Sequence, residues 1–118
     1  MARFLDSDER KTLVLLYNAQ QSLKRGFTTV RHAGGKISTF GAVDVKRAID
    51  EGLFEGSRLV VIAHAVNTPG SHVDASAYFR SNPRVAQAIQ ELYPNIGTGA
   101  DFARAAARRE IKYGADVV

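Results

Sequence analysis

The side chains in this sequence best placed to do chemistry gather around one histidine. His64 is the only polar residue between Leu59 and Val66, a run rich in β-branched side chains. The run starts after Glu55-Gly56 and stops at Asn67-Thr68-Pro69-Gly70, so it reads as a strand covered on both faces. In open α/β sheets, ligands gather beyond the carboxyl ends of strands. That end offers His64 and Asn67, with Ser71, His72 and Asp74 just beyond, and His32 on an earlier strand. A histidine in such a place can serve as a general base or a metal ligand. His64, His72 and Asp74 are therefore the catalytic candidates, and weak ones. No Gly-x-Ser-x-Gly turn exposes a nucleophile. The plainer reading makes His64 a core histidine and Ser71 a helix cap. No metal site is expected, because no His-x-x-x-His pair puts two ligands on one helix face. No motif implies a cofactor.

A second chemistry would be anion binding. Arg104, Arg108 and Lys112 recur at i, i+4 and i+8 and make a basic stripe on the last helix. Such a stripe can meet phosphates in a salt-sensitive, sequence-independent way. No aromatic residue is interleaved for base stacking, and Asp101 and Glu110 lie close enough to neutralise it. Arg109 falls between Phe102, Ala106 and Tyr113, on the side expected to be buried. An arginine there snorkels, pairs with a carboxylate or crosses into a neighbouring subunit. Gly34-Gly35-Lys36 lacks the frame of a phosphate-binding loop. Gly97-Thr98-Gly99 precedes a helix whose Asp101 would repel an anion.

The elements that position these residues follow from spacing and punctuation. Asp6 and Glu9 open a first helix that runs to about Arg25, with Gly26 as its left-handed cap. Leu13, Leu16, Tyr17, Gln20 and Leu23 mark its inner side, widened by Leu15 and Ala19, and Val14 falls on the polar side. Residues 27–40 read as a β-hairpin turning at Gly34-Gly35. A second helix, capped by Ser38 or Thr39, spans about Gly41 to Glu51, with Lys46–Asp50 and Arg47–Glu51 as i,i+4 pairs. After the His64 strand, Ser71 and Asp74 start a short helix. Asn82 and Pro83 start an amphipathic one that reaches Tyr93, with Val85, Ala88, Ile89 and Leu92 on one side. The last helix begins near Thr98–Asp101 and ends near Gly114. The order is α-β-β-α-β-α-α. That predicts a single α+β (or small α/β) domain over residues 1–118, a sheet of about three strands with helices packed on it.

Composition narrows the classes. The chain of 118 residues is 45% hydrophobic and 24% charged, an ordinary globular balance, and it has no cysteine for disulfides or thiolate metal sites. No apolar run approaches the roughly 20 residues of a membrane span. The N-terminus lacks the apolar centre of a signal peptide, which predicts a cytoplasmic protein or one assembled into a particle there. The net charge of +4 is spread along the chain, with ten basic and seven acidic residues in 1–59 and six and five after that. Val14, Val43, Phe54 and Ile111 fall off the inner faces of their segments and are the interface candidates. No constellation points to catalysis. The expectation is a non-catalytic structural or assembly subunit that acts through protein–protein surfaces, forms a homo-oligomer or joins a larger complex, and belongs to an oligomeric particle such as a virion or phage particle. The alternatives are a nucleic-acid-binding module using Arg104, Arg108, Arg109 and Lys112, and a small enzyme centred on His64.

Overall fold

The structure is a computed structural model that describes residues 6–34, 39–93 and 95–118. Four α-helices and a two-stranded parallel sheet make a mixed α+β fold: α1 (Asp8–Lys24), β1 (Thr29–Ala33), α2 (Gly41–Asp50), β2 (Arg58–Ile62), α3 (Pro83–Leu92) and α4 (Ala100–Lys112), with a 3-10 turn (Ala75–Phe79) before α3. None of the described helices is long and apolar enough to cross a membrane.

The sheet differs from the expected hairpin. β1 pairs with β2 in parallel, Thr29 opposite Arg58 through Ala33 opposite Ile62. Parallel strands need a crossover, and α2 supplies it. Two strands are present among the described residues. The expected return strand after Gly34-Gly35, like the expected cap Ser38, lies largely on residues 35–38, outside the described residues, and Thr39 and Phe40 lead directly into α2. β2 is also shorter than the apolar run suggests. It leaves β1 after Ile62, and Asn67 pairs instead with Ile96 in a parallel bridge.

Helix ends follow their local chemistry. Ser7 caps α1 by accepting from the Arg10 amide, while Asp6 pairs with Arg10 at 3.0 Å. Asn82 caps α3, with Pro83 in the first turn. Asp74 caps the 3-10 turn. Phe40 precedes α2 with no side-chain cap.

The core sits between α1, α2 and β2. It is built from small side chains: Ala19, Ala42, Val43, Val45, Leu59, Val61, Ala63 and Ala115. Ser57 docks α1 on the start of β2, its amide and its hydroxyl both donating to the Ala19 carbonyl. Two glycines permit close approach. A β-carbon on Gly97 would fall 2.5 Å from the Phe102 ring, and Gly114, at φ +100°, lies under Val43.

Candidate functional site

The far edge of β2 and the segment that follows it are each met by a carboxylate, Asp116 at Val61 and Glu110 at His64. In a strand, alternate backbone groups face opposite edges, and those of β2 that face away from β1 need partners. Asp116 meets one set: its Oδ2 accepts from the Val61 amide at 2.9 Å, and its own amide donates to the Val61 carbonyl at 2.9 Å. Lys46 of α2 holds the other oxygen at 2.9 Å. The Val61 amide and then the Lys46 ammonium hold the Asp116 carboxyl below the usual aspartate range.

Glu110 is the second cap and the centre of a buried polar cluster. It is fully buried, the largest side chain to be so among the described residues. Its Oε2 accepts from the His64 amide at 3.1 Å and lies 3.0 Å from His64 Nδ1; its Oε1 accepts from Asn95 Nδ2 at 2.7 Å. Arg109 completes the chain by donating to Asn95 Oδ1, and lies 3.6 Å from Glu110. Each donor in this cluster has a direction, and every path ends on the glutamate. Because Glu110 Oε2 accepts, His64 Nδ1 donates, which leaves Nε2 as the acceptor nitrogen. That nitrogen is buried and has no partner among the described residues. The imidazole instead meets Phe40 edge-on at 4.8 Å, and Phe40 in turn lies 4.7 Å from Tyr113.

A carboxylate-oriented histidine can act as a base where its second nitrogen reaches a substrate. His64 is sealed, so the cluster ties α4, the Asn95 loop and the end of β2 together instead. The other catalytic candidates do not join it. His72 is exposed in the loop. Asp74 is buried as a cap, accepting from the amides of Gly70 at 2.8 Å and Ser76 at 3.1 Å and from the Ser76 hydroxyl. The Gly70 amide, then the Ser76 hydroxyl, hold its carboxyl below the usual range against the opposing effect of burial. His32 Nδ1 donates to the Ile62 carbonyl at 3.0 Å. No group of three metal-binding side chains occurs among the described residues.

The basic stripe is partly spent inside the molecule. Arg104 pairs with Asp101 at 2.6 Å and Lys112 lies over the Tyr113 ring at 5.2 Å, while Arg108 is exposed. Glu110, expected beside the stripe, turns inward. Arg109 meets the expectation of a paired arginine, with Asn95 and Glu110 as its partners. Glu110, Asn95 and Asp116 are the site residues that sequence reading missed. One signal was available for the first: Glu110 stands four residues after buried Ala106, on the same helical face.

The interface candidates divide. Val14, Phe54 and Ile111 are exposed. Val43 is not on the surface; it is buried in the core against Gly114, because the helix that follows Phe40 turns Val43 toward the segment that follows α4. Leu13 and Tyr17, expected on the inner side of α1, are exposed at 66% and 59% and join Val14 in an outward apolar strip. Leu15, Leu16 and Ala19 pack in or against the core, and Gln20 and Leu23 are half-buried.

No protein-family model matches the sequence, and no curated protein matches it.

Proposed function

We propose that the protein is a non-catalytic assembly subunit whose work is done by its surfaces, in contact with further protein chains. One observation carries this reading: small residues are inside and large apolar residues are outside. Six of the ten buried apolar residues are alanine, whereas fourteen large apolar side chains are exposed among the described residues, from Leu13 and Tyr17 on α1 to Tyr78 before α3 and Ile111 on α4. Isolated exposed apolar residues are ordinary, but a chain that leaves this many large ones outside has apolar surface still to bury.

The dimensions agree with this. The accessible surface is 8106 Å², against about 6,300 Å² for a compact monomer of this mass. The radius of gyration is 15.3 Å, against roughly 13.5 Å for a compact chain of this length. The shape is a slab, 44 × 33 × 19 Å. The surplus, about 1,800 Å², exceeds the roughly 800 Å² that each partner contributes to a standard interface.

Light scattering coupled to size exclusion tests the proposal. A mass that is a stable multiple of 12.8 kDa, with a melting temperature that rises with protein concentration, is the expected result. A single monodisperse species of 12.8 kDa at millimolar concentration would overturn it.

A further inference from the structure

We infer that α3 pairs with α3 of a second copy of this chain, antiparallel, about a two-fold axis that passes beside Ala88. This inference rests on the proposed role as an assembly subunit and names one of its contacts.

α3 has the sharpest division of apolar and polar faces in the chain, yet none of its residues is buried. The 3-10 turn is the element against which it packs most extensively, and Gln90 reaches back to Ser76 there. At 3.6 residues per turn Val85, Ala88 and Leu92 fall in one line, beside the half-buried Ala86 and Ile89 that mark the packed side of the helix. All three are exposed, Leu92 at 54%, while Ile89 at the edge of the line is half-buried. The apolar line is therefore open along one side of α3.

Charge decides what covers it. Arg84 and Glu91 lie on one flank of the line, seven residues apart, which is two turns of the same face. Arg84 is exposed and has no partner among the described residues; Glu91 accepts only from the Gln87 amide at 3.3 Å. A two-fold axis perpendicular to the helix brings like flanks together. Centred beside Ala88, it sets Val85 against Leu92 of the second copy and Leu92 against Val85. With the axis shifted by one residue, about 1.5 Å, Arg84 stands opposite Glu91 of the second copy and Glu91 opposite Arg84, a difference both long side chains can span. The small side chain of Ala88 falls at the crossing, where the helices come closest. A parallel pair would place the charged flank of one helix against the uncharged flank of the other and would gain neither ion pair. The pattern is self-complementary in one orientation, as an isologous contact between identical chains requires.

A helix of ten residues is only about 15 Å long. Tyr78 and Phe79, exposed on the turn that packs against α3, are the apolar side chains available to widen the contact.

The test uses the full chain and charge reversal. Arg84→Glu alone sets like charges opposite each other twice, and so does Glu91→Arg alone. Each is expected to weaken self-association through this contact by roughly tenfold or more, since two attractive pairs become repulsive. The double variant R84E/E91R restores both pairs and should recover the association. The sharper arm mixes the two single variants. The flank of R84E is acidic at both positions and that of E91R is basic at both. Neither associates well alone, but across the two-fold axis the acidic flank meets the basic one at both contacts, so the mixture should form a mixed pair by sedimentation velocity. Both sites are exposed, and circular dichroism would verify that the fold is kept. If the wild-type chain self-associates and neither reversal nor mixing changes this, the α3 pairing is wrong and the assembly role stands. If the wild-type chain is a monomer at every concentration, both fall.

Discussion

Removing the acceptor at Glu110 is the sharpest test of how the chain end is held to the sheet. Three donors converge on its two oxygens: the His64 amide, His64 Nδ1 and Asn95 Nδ2, at 3.1, 3.0 and 2.7 Å. Glu110→Ala strands all three in a site closed to water. A buried donor left unmatched costs about 1–3 kcal/mol, and some repacking offsets the sum, so the loss should reach about 3–5 kcal/mol. Glu110→Gln is isosteric but cannot accept on both sides. Its amide nitrogen must face either the His64 donors or Asn95. Asn95 cannot turn its amide round, because Arg109 donates to Asn95 Oδ1. One donor–donor contact therefore remains, at about 1–3 kcal/mol. The whole domain has only about 5–15 kcal/mol to lose. Urea unfolding at fixed protein concentration reads the difference. With a slope of about 1–3 kcal/mol per molar, the midpoint should fall by about 1 M for the glutamine variant and by about 2 M for alanine. Glu55→Ala, at an exposed residue with no partner among the described residues, is the control. If both Glu110 variants unfold within about 0.5 kcal/mol of the wild type, the cluster does not hold the end of β2 as described.

Other outcomes follow from the same geometry. Asp116→Ala frees the Val61 amide and Lys46 together; because the carboxylate is a third exposed, solvent screening keeps the loss near 1 kcal/mol, read by the same urea titration. Acid should destabilise the wild type through Asp116 and Asp74: both carboxyls are held below their ordinary range, so their contribution is present above about pH 4 and is lost as pH falls through the lowered values. Stability–pH curves of Asp116→Asn and Asp74→Asn should each be flatter in that window, and curves parallel to the wild type would contradict the assignment. Asp74→Ala should also loosen the 3-10 turn, costing about 1 kcal/mol as a lost cap, with faster amide exchange at Ser76 as the local signature. Gly97→Val drives a side chain into the Phe102 ring and should cost about 1–3 kcal/mol, visible as a lower melting temperature.

Much of the local structure was legible because it depends on neighbours in the chain. Asn82, Pro83 and the apolar spacing of residues 85–92 define α3, and Gly26 ends α1, by chemistry confined to one or two turns. The strand around Leu59 was legible as a buried run. Its partner was not: Thr29–Ala33 has the same strand propensity whether it returns in a hairpin or crosses over through α2, and only long-range packing selects the parallel register. Leu13, Tyr17 and Val43 misled for a related reason. Periodicity says which side chains share a face, not which face a neighbour covers, and α1 presents an apolar arc wide enough to be rotated either way. The carboxylate caps were invisible because Asp116 and Val61 are 55 positions apart, and Glu110 and His64 are 46 apart.

The contrast between the two kinds of interior bears on what the molecule is for. A core of alanine and valine buries little apolar area per residue, and such a core tolerates sliding of the elements packed on it. The Glu110 cluster does the opposite. Its donors are directional, a wrong register leaves them unpaired, and so it specifies one placement of α4 against β2 even where it adds little net stability. Asp116 adds a second carboxylate contact at Val61, on the edge of β2 away from β1, closing backbone that would otherwise be open to another chain. The outer edge of β2 is thus occupied at Val61 by polar contacts within the chain. The large apolar side chains of α1, α3 and α4 are left outside on helices, where in the proposed assembly shape and flanking charge would choose the partner. Under the proposed assembly role, a chain that closes the edge of β2 while presenting helical apolar faces is suited to selective association.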